Sequence, residues 1–345
     1  MNDASLVAFA LVGSLVLYAL GAGADFGGGV WDLFASGPRA ARQRETVTHA
    51  IGPIWEANHV WLILSVVLLF TCFPAAFAAV GTALHIPITM LLVGIVLRGS
   101  AFAFRSYGLE PGAVQDQWGR VFAIASLVSP LMLGITLGAI ASGSLTIDPA
   151  TRLVRTDFIS AWLDAFPFTV GFLALALFAY LAAVYLTMET EDEELRDDFR
   201  RRAIVAWEIS GLLAILALVL ARTGAPTIYV GLLQRPILLA GTTLVSLGAL
   251  YGLARRRYGW ARALAALQVA LTVAGWGLAQ FPALVPPDLT ITNSAAPEPV
   301  LRAVLWALGA GAVLLFPAMF YLFRVFKGGR ANAYQNDMAI RPGAD

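Results

Sequence analysis

Trp55-Glu56-Ala57-Asn58-His59-Val60-Trp61-Leu62-Ile63-Leu64-Ser65-Val66-Val67-Leu68-Leu69-Phe70 places a carboxylate, an amide and an imidazole at the head of an otherwise apolar run. A helix that crosses a bilayer needs ~20 largely apolar residues, and the run, extended to 54–80, meets that length. Eight further segments do so as well: 5–33, 84–106, 120–142, 160–187, 203–222, 236–254, 261–281 and 301–326. Prolines within or beside these segments, Pro74, Pro87, Pro130 and Pro317, are tolerated in bundled membrane helices. No segment alternates as a barrel strand would. Of the 345 residues, 59 % are hydrophobic and 13 % charged, and the mean hydropathy is +0.75. A soluble domain carries roughly 25 % charged residues, so this chain cannot cover a water-facing surface. It reads as a single all-α transmembrane domain, 1–345, with nine transmembrane helices.

The arginines give the orientation, because cytoplasmic connections hold the excess of basic residues. Arg39, Arg42 and Arg44 occupy the first connection, Arg105 and Arg120 the third, Arg196, Arg200, Arg201 and Arg202 the fifth, and Arg255, Arg256, Arg257 and Arg262 the seventh. Arg324, Lys327, Arg330 and Arg341 fill the tail, and the even-numbered connections hold only Arg152, Arg155, Arg222, Arg235 and Arg302. The N-terminus is therefore expected outside and the C-terminus in the cytoplasm. The first segment has no basic leader, so it is expected to be retained as a helix. Trp55-Glu56 recurs as Trp207-Glu208, each at the opening of a span after a basic connection. That recurrence suggests two parallel four-helix bundles, 5–142 and 160–281, with an extra helix at 301–326. The charged stretch from Glu189 to Arg202 reads as a solvated helix or loop.

Ionisable groups inside spans carry the most information, since a charge at mid-bilayer costs at least ~2.5–3.5 kcal/mol. Asp25 lies in the first span about nine residues, or ~14 Å, from its cytoplasmic end, and Arg98 lies ~12 Å from that side in the third. Glu56 sits in the first turn of the second span, with Asn58 and His59 just deeper. Two readings stand. Arg98 pairs with Asp25 or Glu56 as a structural ion pair, or the cluster forms a path for protons or cations from the cytoplasm. Gly27-Gly28-Gly29 reads as close helix packing, with no strand or lysine that would make it a phosphate loop. The single cysteine, Cys72, excludes a disulfide framework, a redox pair and a cysteine-rich metal site. His49, His59 and His85 are the only imidazoles.

Gly23-Ala24-Asp25-Phe26-Gly27-Gly28-Gly29 followed by Pro53-Ile54-Trp55-Glu56-Ala57-Asn58-His59-Val60-Trp61 resembles subunit II of cytochrome bd-type quinol oxidases, the cyanide-insensitive group included. Arg98 with Phe104-Arg105, Gly275-Trp276-Gly277-Leu278-Ala279-Gln280-Phe281-Pro282 and Pro287-Asp288-Leu289-Thr290 extend the resemblance along the chain, with Trp55 and Trp61 as its most specific marks. The resemblance implies a respiratory enzyme that oxidises quinol and reduces dioxygen to water in a bacterial cytoplasmic membrane. It implies that two haems b, haem d and the quinol site belong to subunit I, an obligate partner, and that small accessory subunits can join. This chain would bind no cofactor alone, apart from a structural quinone held by some relatives, and would contribute Glu56, Asp25, Asn58 and His59 to proton uptake. His59 and His85 are the histidines to weigh as haem ligands. No nucleic-acid partner is expected. A secondary transporter coupled through Asp25, Glu56 and Arg98, and a purely structural subunit, are the alternatives.

Overall fold

The computed structural model describes residues 2–51, 55–107, 113–148, 151, 153–155 and 157–327. Within these, the side chains at 51, 55–57, 106–107, 113–116, 322–323 and 325–327 are outside the description. Twelve helices run through the described residues: α1 (Asp3–Leu33), α2 (Ala40–Ile51), α3 (Trp55–Cys72), α4 (Pro74–Ala83), α5 (His85–Tyr107), α6 (Ala113–Ser142), α7 (Ala165–Leu186), α8 (Glu193–Gly224), α9 (Pro226–Leu233), α10 (Pro236–Ala254), α11 (Tyr258–Gln280) and α12 (Glu298–Lys327). Eight are long and apolar enough to cross a membrane, or nine if the bent pair α3 and α4 counts as one. The protein is an all-α, multi-pass membrane protein.

Polar caps fix the long helices. The Asn2 side chain accepts the Ser5 N–H at the head of α1, Asp164 caps α7, and Asp192 accepts from Glu194 and Leu195 at the head of α8. Such residues satisfy amides that have no partner within the first turn. The Leu195 N–H, above the other contacts, holds the Asp192 carboxyl below the usual carboxylate range.

Two expectations need correction. The segment 54–80 is not one straight span, because α3 and α4 meet at 117°. Pro74 has no N–H and its ring opposes the carbonyl four residues earlier, so it opens a new helix and does not continue the old one. The carbonyl of Cys72 is instead taken by the N–H of Ala296, at 2.8 Å. Pro130 and Pro317, by contrast, lie inside continuous helices. The segment expected at 203–222 starts ten residues earlier, since the charged stretch is helical from Glu193 and runs unbroken into the apolar part. Trp207-Glu208 therefore lies well inside α8 and does not open it.

α1 and α7 form the centre of the core, with Phe26, Trp31, Phe178 and Tyr180 all buried. They touch backbone to backbone: a Cβ on Gly27 would lie 2.0 Å from the carbonyl oxygen of Phe178. Trp31 Nε1 donates to the Ala179 carbonyl at 2.7 Å one turn further on. One end of the bundle collects arginines and carboxylates, with Arg39 paired to Asp198 and Glu194, and Arg256 to Asp197. The other end carries two antiparallel hairpins, β1 (Thr146–Ile147) with β2 (Val154–Arg155) and β3 (Ala283–Val285) with β4 (Leu289–Thr290). Asp288 joins them by accepting the Ile147 N–H at 2.7 Å.

Candidate functional site

Asp25 stands on the buried face of α1 with 4 % of its surface exposed. Asn58, on α3, reaches it from the neighbouring helix, and its Nδ2 donates to Asp25 Oδ2. Gly21 makes this approach possible, because a Cβ there would lie 2.6 Å from Asn58 Oδ1. Arg98 enters from α5 and is 1 % exposed, the largest fully buried side chain in the described structure. Its guanidinium carbon sits 4.9 Å from the centre of the Phe26 ring and 5.1 Å from that of Phe122. Two ring faces thus stabilise the desolvated cation through their quadrupoles. Arg98 Nε and Nη2 make no hydrogen bond among the described residues, and neither do His59 Nδ1 and Tyr18 Oη. The Asp25 charge lies within electrostatic reach of Arg98. The His59 ring lies 6.0 Å from those of Tyr18 and Phe26.

The structure therefore brings Asp25, Asn58, His59 and Arg98 together around Phe26. Trp55 and Glu56 open α3, and their side chains lie outside the described residues. Trp61 is buried against Phe316 of α12, with ring centres 6.2 Å apart. His85 is exposed at the hairpin end, where Nδ1 lies 3.0 Å from the Thr82 carbonyl and the ring meets Phe158 edge-on.

A cavity of about 440 Å³ opens between α1, α3, α7, α11 and α12. Asp25, Asn58 and Trp61 line it, as do Tyr185, Glu189 and Arg262, and the remaining wall is apolar. Along α1 it runs from Leu17 to Gly28, a length of ~16 Å at 1.5 Å per residue. Neither His59 nor His85 borders it, so this arrangement does not fit a haem axial ligand there. Among the described residues no group of three or more His, Cys, Asp or Glu side chains could hold a metal ion.

Sequence reasoning missed three parts of the site. Tyr18, Phe26 and Phe122 look like ordinary core residues in an apolar run. The cavity depends on how α12 leans against α1 and α3. Asp32 was missed because it lies at the end of its span, where charge is unremarkable. It is nonetheless buried, and Arg105 grips it with two parallel bonds of 2.9 and 3.1 Å. The motif mark Phe104-Arg105 is the signal that would have pointed to it.

Comparison with known proteins matches residues 4–326 to the family described as cytochrome bd terminal oxidase subunit II. The chain is 24 % identical over 336 residues to the cytochrome bd ubiquinol oxidase subunit 2 of Bacillus subtilis (strain 168), covering 92 % of this chain and 94 % of that one. It is 29 % identical over 185 residues to the cytochrome bd-I ubiquinol oxidase subunit 2 of Escherichia coli (strain K12), covering 53 % and 48 %. Among solved structures, a chain of the bd oxidase from Geobacillus thermodenitrificans aligns with a TM-score of 0.79 at 26 % identity, over 94 % of this chain and 99 % of that one.

Proposed function

Since the chain belongs to the cytochrome bd terminal oxidase subunit II family, we propose that it serves a quinol-oxidising, dioxygen-reducing complex of a bacterial cytoplasmic membrane, taking up protons from the cytoplasm. Its partner is the haem-bearing subunit I, which supplies the electron transfer from quinol and the reduction of dioxygen. The arginine-rich end of the bundle faces the cytoplasm in this reading. The observation that carries it is the buried Asp25 carboxyl in the wall of a cavity that reaches that end.

The chain's residues then have distinct tasks. Glu56, in the first turn of α3, takes a proton near the surface and passes it inward. Asn58 cannot itself exchange a proton usefully, but its amide donates to one carboxylate oxygen of Asp25 and so orients that group. Asp25 holds the proton at its carboxyl for transfer toward subunit I. Arg98 keeps a compensating positive charge close by, and His59 and Tyr18 offer polar atoms to bridging water, the usual partner of buried groups that lack a protein one.

The cavity supports one further use. Its volume falls in the ~300–1,000 Å³ range of small-molecule sites, and Trp61 and Phe316 flank it with aromatic faces. A structural quinone would be held there by these rings, with Asp25 and Asn58 at its polar end. The alternative of a secondary carrier loses its support once the family is established.

The test compares Glu56→Gln, Glu56→Asp and Asp25→Asn in the purified two-subunit complex, measuring quinol-driven oxygen consumption and haem content together. Glu56→Gln and Asp25→Asn are expected to keep haem and lose at least about tenfold in rate, while Glu56→Asp keeps much of it. Parent-like turnover in both amide variants at full haem content overturns the path. Loss of haem together with rate makes the cluster structural.

A further inference from the structure

A second hollow lies at the arginine-rich end, between the α1–α2 connection and the first turns of α8. It encloses about 270 Å³ and is lined by Gly37, Arg39, Gln43, Asp198, Arg201 and Arg202, among others. Three guanidinium groups thus face one carboxylate. That carboxylate is already engaged: Arg39 holds both Asp198 oxygens at 2.8 Å, and Gln43 donates to one of them at 2.9 Å. Arg39 also pairs with Glu194, which is outside the lining, so positive charge remains in excess.

The other two arginines have donors to spare. Arg202 uses Nη2 on the Phe34 carbonyl and on Gln43 Oε1, while its Nη1 is buried and has no hydrogen bond among the described residues. Arg201 is exposed and makes no hydrogen bond or ion pair among the described residues. Gly37 at the rim has a φ of +76°, the left-handed conformation that favours glycine. Both arginines border the same space.

The level of the hollow matters too. Arg202 is directly followed by the apolar part of α8, and the exposed Leu33 and Phe34 come just before the lining residues Ser36 and Gly37 in the chain. Polar and apolar surface therefore adjoin near the hollow, as they do at the headgroup boundary of a bilayer. Arginine forks match the non-bridging oxygens of a phosphate group in charge and in geometry.

We propose that this hollow is a binding site for a phosphate group, held by the exposed Arg201 with Arg202 beside it. An anionic phospholipid headgroup and free inorganic phosphate share that chemistry. The site clips the α1–α2 connection to α8, and it does not depend on the proton-uptake reading.

The experiment uses the purified two-subunit complex with R201Q, which removes a side chain with no internal bond, and R255Q as a basic control on the same end outside the hollow. Complexes released from vesicles of equal phosphatidylglycerol and phosphatidylcholine are examined by native mass spectrometry. In parallel, thermal midpoints are measured in detergent with inorganic phosphate at fixed ionic strength. Parent and R255Q are expected to retain phosphatidylglycerol severalfold over phosphatidylcholine, and R201Q to fall toward equal amounts. If only inorganic phosphate raises the midpoint, by several degrees and in an Arg201-dependent way, the ligand is the free ion. If R201Q matches the parent with both probes, or neither probe distinguishes the parent from an unliganded protein, the site does not exist.

Discussion

Replacing Gly27 by alanine tests the contact on which the core is built. The added Cβ would stand 2.0 Å from the Phe178 carbonyl oxygen, 2.5 Å from its carbonyl carbon and 2.7 Å from Ala182 Cβ. Real Cβ contacts are rarely below 3.4 Å, so α1 and α7 must separate by over an ångström. No side-chain rotation relieves this, because the nearest obstacle is backbone in a buried helix. Forcing one extra carbon into a packed core costs about 1–3 kcal/mol. Separation also weakens the Trp31 bond to Ala179, another ~1 kcal/mol. Gly13, on the same helix, provides the control, since nothing lies within 4 Å of its added Cβ and alanine there gains about 0.5–1 kcal/mol in helix preference. The assay is the thermal midpoint of the purified complex carrying each substitution. Gly27→Ala is expected to fall below the parent and Gly13→Ala to match or exceed it. A Gly27→Ala midpoint equal to that of Gly13→Ala refutes the backbone contact.

Three other perturbations have defined outcomes. Asn58→Leu leaves Asp25 without the amide that holds it, so stability should drop by about 1–3 kcal/mol and oxygen consumption should fall, both measurable on one preparation. Asp32→Asn removes the charge that Arg105 grips and should destabilise by roughly 1–3 kcal/mol, less than a fully buried pair because Arg105 is partly exposed. Adding Arg105→Gln should then cost less than the sum of the single changes, as a double-mutant cycle of thermal stability would read. Asp192 has its carboxyl pKa lowered in the folded chain, chiefly by the Leu195 N–H. Its contribution is therefore present above the unfolded value of about 3.9 and is lost as pH falls through the lower folded value. Asp192→Asn keeps a capping oxygen and should flatten that acid limb in a stability–pH titration.

The membrane spans were legible because hydropathy is a property of each segment alone. What the sequence could not rank was its prolines. Pro74 and Pro130 both interrupt apolar runs, yet only the first turns the chain, and the carbonyl released there is captured by Ala296 from the far end of the sequence. Such a partner has no local signal. The early start of α8 is different, since Asp192 ahead of two glutamates is a capping signal that places the start of the helix within the charged stretch. The doubled bundle loses part of its original support, since Trp207-Glu208 does not open α8 as Trp55-Glu56 opens α3, and one parallel remains. α3 and α8 are each followed by a short helix headed by proline, α4 and α9.

Asp25, Asn58, His59 and Arg98 could be found because polar atoms are conspicuous in an apolar run. What surrounds them could not. From ionisable residues alone, only charge against charge can neutralise Arg98. In the fold, Phe26 and Phe122 approach the guanidinium from two helices. Their contribution, about 2 kcal/mol or more for a desolvated contact, is comparable with the insertion cost that made Arg98 conspicuous. Phe26 follows Asp25 directly in the chain, so the same turn of α1 brings both a carboxylate and a ring face to Arg98. Its position is plain in the sequence, but the direction of its ring depends on how α5 and α6 pack around α1. A carboxylate that shares its counter-ion with two aromatic faces need not stay locked to it. The proposed proton path requires this of Asp25: to change its proton while the arginine remains in place.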